Sequence, residues 1–178
     1  VDEEEVKRKL CYLDDEVLRE KSALVEAFGP DEARVVEAMA QVMIAHRGAG
    51  LAAPQIGVLK RIIIIHPSIL PEGADTVLLN PEIVECSKET ETEEEGCLSL
   101  LSVAAPLARP SRVVVRYVDT KGREREFEAE GMAARALQHE IDHLNGVLFI
   151  DHLSRLKRKF VCDRFRKLYR ELEAGHLL

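Results

Sequence analysis

The run His139-Glu140-Ile141-Asp142-His143 concentrates the chemistry of this chain. On a helix, residues four apart lie one turn along the same face. Two imidazoles so placed can grip one metal ion, with Glu140 beside them as the base for a water molecule at that ion. Either histidine alone would read as a packed or surface residue. The glutamate directly after the first is what favours a metal site. A second island, Glu95-Gly96-Cys97-Leu98-Ser99, offers a thiolate as third ligand. A third, Gly48-Ala49-Gly50-Leu51-Ala52-Ala53-Pro54-Gln55, offers a side-chain amide on a glycine-rich backbone.

The third ligand decides what kind of hydrolase this is. An extended zincin pattern needs a histidine at position 149, which is Phe149. Glu171 and Glu173 are conceivable ligands, but they sit in a basic terminal helix, and Cys97 is the better candidate. Three protein ligands would leave a fourth position open for water, the arrangement of a catalytic metal. Glu140 could then take the water proton and pass it to a leaving amine. Glu95 is expected to pair with Arg109 and brace the Cys97 segment, with a solvated charge as the alternative. Asp142 is expected either to orient a ligand histidine or to be a solvated surface residue.

These groups must be carried by a fold. Pro30-Asp31-Glu32 opens a helix whose apolar Val35, Met39, Val42 and Met43 fall at helical spacing, and Gly48 is placed to end it. Residues 61–65 (Arg-Ile-Ile-Ile-Ile) predict a buried strand. Residues 77–79 and 83–86 predict strand pieces broken at Asn80-Pro81. Residues 113–118, a turn at 119–122 and residues 123–130 predict a hairpin. Gly131 leads into the helix that carries the histidines, whose core face should be Met132, Ala133, Ala136, Leu137 and Leu144. A last helix covers about 153–174. This order is α+β rather than repeated βαβ: mixed, mostly antiparallel strands around a central HExxH helix, with a C-terminal helix.

At 178 residues and 20.0 kDa the chain predicts a single catalytic domain, 1–178, with 153–174 as its basic C-terminal helix. A net charge of −7 gives no whole-chain reason to bind nucleic acid. Acid collects in residues 2–5 and 89–95, and base near the C-terminus. The four cysteines, Cys11, Cys86, Cys97 and Cys162, form no CxxC pair, which reads as a reduced compartment. No apolar run is long enough to span a bilayer, and the acidic N-terminus is unlike a signal peptide. The expectation is a cytoplasmic protein without a membrane partner.

Taken together, the three islands resemble peptide deformylase. That family carries GxGLAAPQ, EGCLS and QHExDH in this order, here Gly48 to Gln55, Glu95 to Ser99 and Gln138 to His143. The likeness runs from about Asp14-Asp15-Glu16-Val17-Leu18-Arg19 to Asp151-His152-Leu153-Ser154. It implies the mixed α+β deformylase fold and hydrolytic removal of formyl from the N-terminal methionine of new polypeptides, the partners being N-formylmethionyl peptides. It implies Cys97, His139 and His143 as ligands of one divalent ion, Fe²⁺ at work, with Zn²⁺, Ni²⁺ or Co²⁺ able to substitute. The Gln55 amide and the Leu98 backbone N–H would stabilise the oxyanion. The Gly50 backbone would pair with the extended substrate.

The resemblance further implies that the basic C-terminal helix docks on the ribosome. Arg155, Lys157, Arg158, Lys159, Arg164, Arg166, Lys167 and Arg170 supply the charge, and Leu156, Phe160, Leu168 and Leu172 a face for packing; an ordinary amphipathic helix is the plainer reading. The chain departs from many members at Leu101, where they have proline. Some have arginine where Ala104 stands, and the early Pro-Asp signature is Leu13-Asp14. Two other readings of the residues are a zincin-type endopeptidase and a binding protein with a structural metal.

Overall fold

The computed structural model describes residues 10–175; the acidic run at residues 2–5 lies outside them. Its backbone is a five-stranded antiparallel sheet in the order β1-β2-β3-β6-β7, and a separate hairpin of β4 and β5. The strands are β1 (Gly50–Ala52), β2 (Ile62–Ile65), β3 (Val77–Cys86), β4 (Thr90–Gly96), β5 (Ala104–Pro110), β6 (Arg112–Val118) and β7 (Glu124–Glu130). Among the described residues three α-helices accompany them: α1 (Pro30–Ala45), α2 (Gly131–Leu144) and α3 (Arg155–Glu173). The α+β order read from the sequence is the observed one.

The run Ile62-Ile63-Ile64-Ile65 is buried throughout because β2 has a helix on each face. Successive strand side chains point to opposite sides. Ile63 and Ile65 therefore join Ala133, Leu137 and Ile141 of α2. Ile62 and Ile64 join Met39, Val42 and Met43 of α1. Each isoleucine so covered is worth about 1.5–3 kcal/mol, so this short strand clamps the motif helix to the sheet. A third cluster lies beneath β5 and packs Leu107, Leu100 and Phe149 against Val161 and Phe165 of α3.

The predicted hairpin forms, with Gly122 at φ 78 in a turn closed by Asp119. The two expected pieces around residue 80 are one strand: Asn80 takes φ 49, the register to β6 shifts between Leu79 and Glu82, and pairing resumes beyond. The acidic stretch 89–95 is also strand from Thr90 onward. Its β-propensity is poor, but every residue of β4 pairs with β5, and that ladder overrides local preference.

Helix α1 ends on Arg47 rather than Gly48. Arg47 sits at φ 54, its N–H donates to Ile44 O at 3.0 Å, and the Gly48 N–H donates to Met43 O at 2.8 Å. These are the two bonds of a Schellman cap. Gly48 is needed for space instead: a Cβ there would lie 2.8 Å from Leu98 Cδ1.

Two predicted faces need correction. Met132 is 66% exposed on α2, and Ala134 and Ile141 take its place in the core. On α3, Leu156 and Phe160 are 79% and 63% exposed, while Val161 and Phe165 are buried and Leu168 and Leu172 half-buried. At 100° per residue, 156 and 160 fall opposite 161, 165, 168 and 172. The helix thus has a second, outward apolar spot.

Candidate metal centre

Cys97, His139 and His143 come from two distant segments. Cys97 leaves the end of β4 and precedes a tight 3-10 turn, Leu98–Leu100, whereas the histidines stand one turn apart on α2. Their ligand-capable atoms lie within 4.8 Å of one another, and all three residues are buried. Cys97 Sγ is 3.4 Å from His143 Nε2, and the two imidazoles stand edge to face with centroids 5.0 Å apart. One thiolate and two imidazoles so close, and so dry, match the soft-and-borderline donor set of a transition metal. The residues present fit such an ion.

Glu95 settles how His139 is held. Its Oε1 lies 2.7 Å from His139 Nδ1, the contact of an N–H donated to the carboxylate, which leaves Nε2 as the nitrogen that would ligate. The same carboxylate accepts from Arg109 Nε and Nη2 at 3.0 and 2.6 Å and from Arg135 Nη1 at 2.9 Å. Burial opposes its ionisation, but the bonds from His139 and Arg109 outweigh it and hold the carboxyl well below the usual glutamate range. The expected Glu95–Arg109 pair is present. Asp142 does not touch a ligand histidine; it joins Arg109 and His152, each at 2.8 Å. Arg135 was not singled out in the sequence, although its position four residues before His139 places it on the same helical face. It also donates to the backbone carbonyls of Leu107 and Glu91, fastening α2 to the β4–β5 hairpin.

Glu140 is buried with Oε2 unpartnered among the described residues, and burial pushes its carboxyl up to about 7. A base of that pKa is suited to exchange protons at neutral pH. Burial and the neighbouring His139 push His143 well below its ordinary value, so its ring is neutral, the form that ligates. Gly50 lets Glu140 sit there, since a Cβ on Gly50 would be 2.9 Å from Glu140 Oε1.

Gln55 lies in the 3-10 turn Ala53–Ile56 that follows β1. Its Oε1 accepts the Ala52 N–H at 2.9 Å, and its Nε2 donates to Ser99 Oγ at 3.1 Å and approaches Cys97 Sγ at 3.6 Å. The amide orientation is thereby set toward the metal centre. Leu98 opens the turn after Cys97, where a backbone N–H precedes the first helical bonds. Among the described residues β1 lies at the edge of its sheet, paired only with β2.

The departures have structural counterparts. The Leu13 N–H donates to Ser99 O at 2.9 Å, a bond that proline could not make. Leu101 and Ser102 both take left-handed backbone, φ 51 and 56, which proline at 101 could not adopt. Around the centre opens a cleft of about 290 Å³, whose lining includes Arg47, Gly50, Gln55, Met132, Arg135 and Glu140. Met132 is exposed because it stands at this cleft rather than in the core.

Comparison with known proteins places this geometry. A family model described as polypeptide deformylase matches residues 7–159. A peptide deformylase of Rhizobium meliloti is 46% identical over 163 residues, covering 90% of this chain and 92% of its own. One from Agrobacterium fabrum is 45% identical, covering 92% and 96%. Among solved structures, a peptide deformylase from Legionella pneumophila superposes with a TM-score of 0.85 at 40% identity, covering 93% of this chain and 96% of its own. One from Ehrlichia chaffeensis in complex with actinonin gives 0.81 at 38% identity, covering 90% and 96%.

Proposed function

The chain belongs to the polypeptide deformylase family, and from that premise we propose that Cys97, His139 and His143 hold one divalent ion at which Glu140 carries out proton transfer. The protein is a metal-dependent hydrolase that removes the N-formyl group from the N-terminal methionine of newly made polypeptides. The endopeptidase and structural-metal readings give way to this one. The observation that carries the site assignment is the meeting of three buried residues with ligand atoms within 4.8 Å of one another, beside a buried Glu140 whose Oε2 has no partner among the described residues.

When bound, the ion supplies a Lewis acid and an activated water at neutral pH. The chain's own residues do the rest. As water adds to the formyl carbon, Glu140 takes one of its protons. It then delivers that proton to the amide nitrogen as the C–N bond breaks, releasing formate and a free amino terminus. The Gln55 amide and the Leu98 N–H donate to the developing oxyanion. Donors of this kind are worth roughly 3–4 kcal/mol each. The free edge of β1 at Gly50 pairs with the extended peptide, and Met132 and Ala136 offer apolar surface to the methionine side chain.

Fe²⁺ is the working ion in this reading, with Zn²⁺, Ni²⁺ or Co²⁺ able to substitute; thiolate and imidazole suit all of them. We place the protein in the cytoplasm as one catalytic domain, consistent with free Cys11, Cys86, Cys97 and Cys162. Among the described residues no helix is long and apolar enough to cross a membrane. The ribosome reading rests on α3, where Leu156 and Phe160 lie exposed among basic residues, of which Arg158, Lys159 and Arg166 pair with Asp151, Asp163 and Asp14. Salt-dependent co-sedimentation with ribosomes, lost when several of the others are changed to Glu, tests it.

The test of the catalytic assignment compares Glu140→Ala with Cys97→Ser. Glu140→Ala should keep its metal and lose about 10²–10⁴-fold in turnover of a formyl-Met peptide, whereas Cys97→Ser should lose metal. Near-normal turnover by metal-loaded Glu140→Ala, or full metal content in Cys97→Ser, refutes the corresponding role.

A further inference from the structure

Residues 10–13 (Leu-Cys-Tyr-Leu) belong to no helix or strand, yet they are tied to both of the turns that adjoin the metal centre. The Cys11 N–H donates to Gln55 O at 2.7 Å, and the Leu13 N–H donates to Ser99 O at 2.9 Å. Gln55 lies in the 3-10 turn Ala53–Ile56 and Ser99 in the 3-10 turn Leu98–Leu100, 44 residues further on. A strap with one backbone bond to each turn fixes the spacing between them. Its side chains leave it little freedom. Leu10 is buried with Leu51 and Ala53, and Leu13 with Cys97 and Leu100. From the outer side, the Tyr12 ring lies 6.4 Å from that of Phe165 and 5.2 Å from that of Tyr169, both on α3.

The two turns also meet through their side chains. Gln55 Oε1 accepts the Ala52 N–H at 2.9 Å, and Gln55 Nε2 donates to Ser99 Oγ at 3.1 Å. A side-chain amide nitrogen carries two protons. One goes to Ser99, and the other is left on the side of the metal centre, where Nε2 stands 3.6 Å from Cys97 Sγ. Where that second proton points follows from where Ser99 Oγ stands, and Ser99 is held from behind by Leu13. Ser99 is fully buried and Gln55 is 2% exposed, so bulk water does not replace a bond lost here.

We infer that Leu13 is a positioning residue for the reaction: its backbone N–H, acting through Ser99, fixes the Gln55 amide in the direction from which it donates to the developing oxyanion. That role rests on the deformylase reading, in which Gln55 faces the formyl oxygen. Leu13 itself touches neither substrate nor metal. A purely structural strap is the competing account, and it predicts that the backbone bond and the apolar side chain matter only for stability.

The test measures kcat and KM separately on a formyl-Met peptide with metal-loaded protein, and Tm for each variant. Leu13→Pro keeps apolar bulk and removes the N–H, whereas Leu13→Ala trims the side chain and keeps the N–H. Cys11 and Ala52 still hold Gln55 in Leu13→Pro. Its kcat should therefore fall about tenfold, short of the roughly 10²-fold that a 1 Å misplacement can cost, with KM unchanged. Leu13→Ala should lower Tm and keep kcat. In a Gln55→Ala background Leu13→Pro should cost little more, because the amide it positions is gone. The Gln55 side-chain amide signal in NMR of the zinc-loaded protein should move in Leu13→Pro and stay in Leu13→Ala. Ser99→Ala spares every backbone bond and decides the matter if Leu13→Pro does not fold: its kcat should fall at constant KM, and only while Gln55 is present. Full kcat in folded Leu13→Pro or in Ser99→Ala overturns the positioning role. So does an equal loss in Leu13→Ala, or a loss undiminished without Gln55. A parent protein that releases no formate from any formyl peptide overturns the deformylase reading, and this role with it.

Discussion

Replacing Glu95 by Gln keeps the shape of the side chain and removes the one charge on which Arg109, Arg135 and His139 converge. The Glu95 and Arg109 side chains are only 4% and 7% exposed, so water cannot take over the lost pairing. Breaking a buried ion pair from one side costs about 3–5 kcal/mol, because the other charge is left uncompensated. Arg109 retains Asp142 at 2.8 Å, and that carboxylate is 23% exposed, which puts the loss at the lower end, about 3 kcal/mol. For a chain of this size each kcal/mol moves Tm by about 2–4 °C, so calorimetry of the metal-loaded variant should show a fall of roughly 6–12 °C. His139 also loses its charged acceptor, and chelator competition should show metal held about 10–100-fold more weakly. Adding Arg109→Gln should recover part of the lost stability, since no buried charge then stands alone. A Tm within about 2 °C of the parent, together with unchanged metal affinity, would refute the view that this carboxylate organises the site.

Gly50→Ala places a methyl group 2.9 Å from Glu140 Oε1 and 3.0 Å from Ile65 Cδ1, so turnover should fall more than stability; equal kcat/KM in the variant would show that Glu140 has room to move. Ser102→Gly removes a left-handed non-glycine conformation at φ 56, and a gain of up to about 1 kcal/mol, read as a higher Tm, is expected; a loss would mean that the Ser102 side chain contributes more than its strain costs. Glu32 has its carboxyl lowered to about 2 by the Lys60 ammonium and the Gly29 N–H. Its contribution is therefore fully present above its ordinary value of 4.5 and lost as pH falls through about 2. An NMR titration of Glu32 with an unshifted midpoint, or an acid limb unchanged in Glu32→Gln, would contradict this.

Local chemistry was legible in the chain wherever it depends on spacing along one element. The i and i+4 histidines, the glutamate between them, the buried isoleucine run and the Asp119–Gly122 turn need only the periods of helix, strand and turn, and each is found where those periods put it. What spacing could not supply was partnership between distant segments. Glu95, four acidic residues deep in a stretch that looks solvated, becomes the anchor of His139 only because β4 pairs with β5 and carries it beneath α2. Met132 and Ile141 both fit an apolar helical stripe, and the sequence does not say where the sheet ends and the cleft begins; the packing of β2 and β6 against α2 decides that Ile141 is covered and Met132 is not. On α3 either apolar face could have been the inner one. The body of the protein chose Val161 and Phe165, because tertiary contacts select among faces that a helix by itself presents equally.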